Sequence, residues 1–153
     1  LSPAGVPGYL NGEAPVVELA APAATLVSSA PAGGDQGRTL TFRVAPGQEG
    51  HTLTVWVNGA HVLDQAIDGR RIRVAATPRA SDDTAWTADF VNAAAAGAAI
   101  TLTVKGTTPL TVAVIDRSPG LPDIPGRTFT PRPPSVVPVH TGDLTIVRRT
   151  YTF

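Results

Sequence analysis

The chain has 153 residues, with 12 basic and 12 acidic side chains and neither cysteine nor methionine. This length fits one domain with its own core, and the balanced charge gives no electrostatic footprint for nucleic acid or an anionic membrane. The lack of cysteine excludes disulfides, thiol catalysis and thiolate metal sites. Glycine and proline, 15 of each, favour a turn-rich β protein over a helical one.

The beginning of the chain predicts no regular structure. Residues 1–15 contain three prolines and three glycines, and we interpret residues 1–14 as a linker or leading arm. Because residue 1 is Leu rather than Met, we expect a processed or excised piece of a longer protein. No apolar run approaches the roughly 20 residues of a membrane span, and no secretory signal is recognisable. Any targeting segment is therefore expected upstream of this sequence.

Alternating apolar and polar side chains then predict strands with one buried face, because neighbouring side chains of a strand point to opposite sides. The alternation is clearest in three runs, whose apolar members are Leu40, Phe42 and Val44, then Leu53, Val55 and Val57, then Ile100, Leu102 and Val104. A fourth run places Trp86, Ala88 and Phe90 on one face, and the segment 143–153 is expected to be a long final strand.

Turn residues between these runs predict how the strands connect. Asn58-Gly59 and Asp68-Gly69 both tolerate the positive φ of a type I′ turn. They predict a three-stranded meander over residues 52–57, 60–67 and 70–75. A further pair of strands, 99–105 and 110–116, is joined by a short segment that begins at Gly106 and ends at Pro109.

The number and spacing of the strands predict an all-β fold. We expect about eight to nine strands in a two-sheet antiparallel β-sandwich, Ig-like or jelly-roll-like, that forms a single domain over residues 15–153. The segment 92–99 is the one helix candidate, because four alanines favour a helical turn. Gly97 and the short length oppose anything longer.

We find no set of residues that predicts a metal site, a cofactor site or a catalytic site. His51, His61 and His140 lack the i+2 or i+4 spacing of metal ligands, and we interpret them as solvent-facing. Asp82-Asp83 lacks the alternating ligand pattern of a calcium loop, which favours a turn-capping role. Ser118 lacks the GxSxG context of a nucleophile elbow and reads as a turn residue. A carboxylate pair for glycoside hydrolysis is not excluded by the sequence.

A binding role is the better-supported class. Tyr9, Trp56, Trp86 and Tyr151 could form a sugar-stacking platform on an exposed sheet face. We interpret Trp86 as core because it alternates with Phe90. Trp56 shares its face with Thr52 and Thr54 rather than with the aliphatic side chains. It therefore either packs against another domain or faces a ligand.

The last third of the chain contains a sequence pattern that resembles the C-terminus of a known protein family. Gly120-Leu121-Pro122, Arg132-Pro133, Pro138 and the run 143–149 match a "GLP…RP…P…(S/G)D(L/V)TLVRR(S/T)" pattern. That pattern resembles the C-terminus of membrane-anchored zinc exopeptidases, the aminopeptidase-type family that includes the endoplasmic-reticulum metallopeptidase. Weaker similarity at 14–19 and 86–92 extends it across most of the chain.

The resemblance implies a noncatalytic C-terminal β domain on the extracytoplasmic side of a membrane. Its expected partner is an upstream peptidase domain of the same polypeptide, and a homo-oligomer is the other partner considered. Contact with a membrane is expected only through upstream spans. The family's zinc ligands include an adjacent Glu-Glu pair, which this chain lacks, so no ligand or catalytic residue carries over.

Seven of the 15 prolines fall within residues 119–138, which include the segment PRPPSVVP. Proline fixes φ and cannot donate to a β-ladder, so this segment is expected to stay extended. We interpret it as a strap that crosses the sandwich before the last strand, with PxxP-type recognition by a partner as the alternative.

Three functions follow as hypotheses. The first is an accessory interaction domain of an exported or membrane-tethered zinc peptidase, which packs on or regulates the catalytic part. The second is a carbohydrate- or cell-surface-binding module, and the third is a stand-alone hydrolase. For the first two, the candidate interaction surface consists of Trp56, Arg132, Pro133, Pro134 and Tyr151.

Overall fold

The computed structural model of this chain describes residues 15–33, 37–48, 52–73, 85–128, 130, 133–136 and 144–153. These residues form nine β-strands. No helix occurs within those ranges. The predicted arm, residues 1–14, lies outside them. The strands are β1 (Ala23–Pro31), β2 (Arg38–Ala45), β3 (Thr52–Asn58), β4 (Val62–Ile67), β5 (Arg70–Arg71), β6 (Trp86–Val91), β7 (Ala98–Val104), β8 (Thr111–Pro119) and β9 (Leu144–Thr152).

The strands are arranged in two antiparallel sheets. The five-stranded sheet has the order β1-β2-β7-β4-β5, and the four-stranded sheet has the order β6-β3-β8-β9. All the pairings within both sheets are antiparallel. The prediction of an all-β, two-sheet antiparallel sandwich is therefore confirmed.

The core lies between the two sheets and is built by the predicted alternation. Every second residue of β2, β3, β7 and β8 points inward, and eleven of these side chains are apolar and at most 1% exposed. They are Leu40, Phe42, Val44, Leu53, Val55, Val57, Ile100, Leu102, Val104, Val112 and Val114. Burial of this continuous apolar layer is the main favourable contribution to folding.

The predicted meander is wrong at its first turn. β3 belongs to the four-stranded sheet and β4 to the five-stranded sheet, so Asn58-Gly59 carries the chain from one sheet to the other. A type I′ turn needs positive φ at both central residues, and Asn58 does not have it, although Gly59 does, at 107°. The second turn is a hairpin as predicted, with φ of 48° at Asp68 and 75° at Gly69.

The segment from Gly106 to Pro109 also joins the two sheets, and it does not form a hairpin. β7 lies in the five-stranded sheet between β2 and β4, whereas β8 lies in the four-stranded sheet between β3 and β9. Both strands bury an apolar face, and these faces pack against each other only when the strands lie in opposite sheets. The expected pairing of these two strands is therefore wrong.

The proline-rich strap joins two neighbouring strands of one sheet rather than strands on opposite sides of the sandwich. β8 and β9 are antiparallel neighbours, with Pro119 opposite Leu144, so the intervening segment leaves and re-enters the sheet at the same end. One turn within it is set by Ile124, whose carbonyl accepts a 3.0 Å bond from the Arg127 N–H. Pro125 and Gly126, with φ of 75° at the glycine, occupy the positions that a type II turn favours.

The alanine-rich segment 92–99 forms a turn and the start of a strand. The Gly97 N–H donates to the Ala94 carbonyl at 2.7 Å, and Gly97 has φ of 70°. An added Cβ at Gly97 would lie 1.8 Å from the Val44 carbonyl oxygen. Glycine therefore ends the turn and lets β7 begin at Ala98, directly against β2.

Candidate functional site

The outer face of the four-stranded sheet is the candidate functional site, and we call it the docking face. It is formed by the side chains of β6, β3, β8 and β9 that point away from the core. Cross-strand register arranges them in rows. The three central rows are Val91–Thr52–Arg117–Ile146, Asp89–Thr54–Ile115–Arg148 and Thr87–Trp56–Ala113–Thr150.

Trp56 is the most prominent aromatic side chain of the docking face. It points outward from the central strand β3 because Val55 and Val57 on either side of it point inward. The indole remains 41% exposed, although β3 has neighbours on both sides. A tryptophan in such a position offers a large, rigid contact area, which is the kind of side chain that dominates binding energy in interfaces.

Two further apolar side chains of the docking face lie on its edge strands. Ile146 of β9 is 58% exposed and Val91 of β6 is 74% exposed. Both point outward, where solvated antiparallel sheets normally carry polar residues. They stand at the two ends of one row, with Thr52 and Arg117 between them, and Trp56 lies two rows away. The face therefore carries three separate exposed apolar side chains rather than one contiguous patch.

A chain of hydrogen bonds crosses the same face between its apolar side chains. The Thr54 hydroxyl donates to Asp89 Oδ1 and accepts a bond from Arg117 Nη1. These neighbours cover Thr54, which is only 8% exposed despite its outward position. The three residues connect β6, β3 and β8 and fix the orientation of the Asp89 carboxylate at one edge of the docking face.

Tyr151 does not join Trp56 on this surface. Tyr151 lies opposite the inward-pointing Val112 and therefore faces the other side of the sheet. Its hydroxyl donates to the Pro22 carbonyl at 2.8 Å, and its ring stacks on Phe153 with centroids 6.3 Å apart. Arg149 lies over the ring at 5.7 Å. Tyr151 thus closes one side of the sandwich.

The proline-rich part of the predicted surface is only partly described. Pro133 and Pro134 are exposed, and the Val136 N–H donates to the Pro133 carbonyl at 2.9 Å. This turn interrupts the extended conformation that PxxP recognition requires. Arg132 lies outside the described residues. Within the described residues, no hydrogen bond or ring contact joins Pro133 or Pro134 to Trp56.

Trp86 belongs to the core side, as predicted. It is partly buried against the core cluster, and its indole Nε1 donates to Gln65 Oε1. Because Trp86 lies in the four-stranded sheet and Gln65 in the five-stranded sheet, this bond joins the two layers at the β6 side. Buried indole N–H groups need such a partner.

The described residues contain no cluster of three or more His, Asp or Glu side chains that could hold a metal ion. His61 is exposed and precedes β4, whereas His51, His140 and Asp82-Asp83 lie outside the described residues. Ser118 lies within β8 rather than in a turn, and its hydroxyl is 3.4 Å from Gln48 Oε1. That distance is long for such a hydrogen bond.

The sequence interpretation missed Asp116, a carboxylate that is only 3% exposed. Its Oδ2 accepts bonds from the Gly47 N–H at 2.8 Å and the Gln48 N–H at 3.2 Å. Oδ1 and the nearby Gln48 Nε2 are buried without a protein partner. The available signal was its position, because Asp116 continues the inward series of Val112 and Val114 and therefore had to be buried with its own donors.

Comparisons with protein-family models, curated proteins and solved structures find no match for this chain. The similarity of its last third to zinc exopeptidases therefore stays a prediction. Within the described ranges, no helix is long and apolar enough to span a membrane.

Proposed function

We propose that this chain is a noncatalytic interaction domain, and that its docking face packs against a protein surface. The observation that carries this proposal is Trp56, a 41% exposed tryptophan on a central strand of a face that also exposes Val91 and Ile146. Aromatic anchors surrounded by polar and charged side chains are typical of protein interfaces. Asp89, Arg117 and Arg148 supply that polar surrounding here.

The proposed setting is an exported or membrane-tethered zinc peptidase, on the extracytoplasmic side. Support for it comes from the sequence pattern that includes Gly120-Leu121-Pro122 and the run 143–149. In this setting the domain packs on or regulates the catalytic part of the same polypeptide. Zinc ligands and peptidase residues belong to that upstream part, and this chain contributes the docking face.

The test uses the full-length polypeptide that carries this chain. We expect deletion of residues 15–153 to lower the unfolding temperature of the peptidase or to change its substrate range. Trp56→Ala should reproduce the direction of that change, because it removes the central side chain of the docking face. Leu63→Ala is the matched control, since Leu63 is 40% exposed but lies on the other sheet. An unchanged unfolding temperature and substrate range after deletion would contradict the proposal.

Carbohydrate binding is the second candidate. Trp56 offers a face on which a sugar ring could stack, and Thr54, Asp89 and Arg117 place hydrogen-bonding groups close by. A glycan array probed with the purified chain tests this candidate. Binding that disappears in Trp56→Ala and persists in Leu63→Ala would favour it over protein docking, and the lack of any glycan signal would reject it.

A further inference from the structure

One row of the docking face carries opposite charges at its two ends. Asp89 on β6 and Arg148 on β9 occupy opposite ends of one row. Arg148 is exposed and has no hydrogen-bond or ion-pair partner among the described residues. The face therefore has one acidic side chain on its β6 edge and one basic side chain on its β9 edge, and Trp56 lies on a strand between those edges.

A two-fold rotation brings these opposite ends together. We consider an axis that runs parallel to the strands and midway between β3 and β8, above the docking face. Rotation about it stacks a second copy face to face, with β6 over the partner's β9 and β3 over the partner's β8. Each row then faces the same row of the second copy in reverse order, as in an isologous interface.

The facing side chains are complementary in two of the three central rows. Asp89 faces the partner copy's Arg148, so opposite charges meet twice, once on each side of the axis. In the next row, the exposed side chains of Val91 and Ile146 face each other. In the third row Trp56 faces the position of Ala113, which the chain's own side chains already cover to 2% exposure.

We propose that the partner of the docking face is a second copy of this chain, bound sheet to sheet around this two-fold axis. The proposal rests on the proposed function, because it names the partner of that same face. Facing sheets deviate from parallel by about 30°. The edge strands β6 and β9 lie about 7 Å from the axis. The deviation of about 30° therefore displaces their side chains by only about 4 Å. A long arginine side chain such as Arg148 spans that displacement.

The size of the face determines the strength of the dimer. Four strands spaced about 4.8 Å apart, with six residues of about 3.3 Å each, project an area of about 400 Å² per copy. The total of about 800 Å² is half the roughly 1,600 Å² of a standard interface. We therefore expect weak, concentration-dependent association, with a dissociation constant of roughly tens to hundreds of micromolar.

Charge reversal tests the two-fold arrangement by sedimentation velocity. Arg148→Glu alone places two acidic side chains face to face, and Asp89→Arg alone places two arginines face to face, so each variant should be monomeric at concentrations where the natural chain dimerises. An equimolar mixture of the two variants should recover association, because both facing pairs again carry opposite charges. Arg149→Glu, on the neighbouring residue that points to the other side of β9, is the matched control and should dimerise normally.

Trp56→Ala adds a measurement that does not depend on charge, and it should weaken association at least about tenfold. Circular dichroism melts of all variants identify any loss of folding. The proposal is overturned if the natural chain stays monomeric at about 1 mM, or if the mixture of folded charge variants fails to associate. In either case an effect of Trp56→Ala on the full-length polypeptide would leave the proposed function standing, with a different protein on the docking face.

Discussion

Asp116 links the two sheets at one end of the sandwich. It extends from β8 of the four-stranded sheet, and its Oδ2 accepts the N–H groups of Gly47 and Gln48, which follow β2 of the five-stranded sheet. Hydrogen bonds from backbone donors to a buried carboxylate are stronger than those between neutral groups. The residue thus fixes the course of the chain just after β2.

Replacement of this carboxylate should destabilise the fold. Asp116→Ala leaves two backbone donors without their acceptor, and we expect the free energy of unfolding to fall by about 2–3 kcal/mol in urea denaturation. Asp116→Asn retains one acceptor oxygen and should lose less. Asp123→Ala, at an exposed position of the strap, should stay within about 0.5 kcal/mol of the natural chain. Equal losses at the two positions would contradict this role.

The protonation of the Asp64 carboxylate is coupled to an ion pair. Arg71 Nε donates to Asp64 Oδ1 at 2.8 Å. This bond lowers the pKa of Asp64 below its ordinary value of 3.8, against a smaller opposing effect of burial and with help from the Gln65 backbone. Because the folded pKa is the lower one, the stabilisation is complete above pH 3.8 and disappears as the pH falls through the lowered pKa.

An NMR titration of the Asp64 carboxyl carbon checks this assignment. The midpoint should lie below 3.8 in the natural chain and return towards that value in Arg71→Gln. Arg70→Gln removes the neighbouring guanidinium, which has no bond to Asp64 among the described contacts, and should leave the midpoint in place. A midpoint that does not respond to Arg71→Gln would show that the ion pair is absent in solution.

At the scale of elements, the strands could be predicted from the sequence but their partners could not. Alternation in β2, β3 and β7 identifies which side chains are buried, because it follows from strand geometry alone. Asn58-Gly59 and Asp68-Gly69 are equally good turn signals, yet only the second forms a hairpin. The difference arises because β3 and β4 lie in opposite sheets on the two sides of the core, and a local signal does not contain that information.

Glycine at position 97 is required by the packing of two strands as well as by its own conformation. Gly97 and Gly106 have similar φ values, 70° and 80°, but an added Cβ meets the Val44 carbonyl at 1.8 Å in the first case and open space in the second. Gly106→Ala should cost about 1–2 kcal/mol, the penalty of a left-handed conformation. Gly97→Ala should cost at least about 2 kcal/mol more, because β2 and β7 must separate. Thermal or urea unfolding of the two variants measures the difference, and equal costs would contradict the close approach.

At the scale of the whole molecule, polar atoms of two aromatic residues link the open sides of the sandwich. Trp86 bonds to Gln65 at the β6 side, and Tyr151 bonds to the Pro22 carbonyl at the β9 side. Of the two aromatic residues predicted for the candidate site, only Trp56 lies on the docking face. The outward position of Trp56 follows from strand alternation, whereas the inward position of Tyr151 depends on its register with β8, which the sequence does not reveal.

The two tryptophans allow a direct test of the docking face. In a dilution series of the ¹⁵N-labelled chain from about 1 mM to about 10 µM, a range that brackets the expected dissociation constant, we expect the indole N–H signal of Trp56 to shift with concentration. The signal of Trp86, which is bonded to Gln65 inside the sandwich, should stay fixed. A Trp56 signal that is independent of concentration, or a shift confined to Trp86, would contradict an interface on the outer face of the four-stranded sheet.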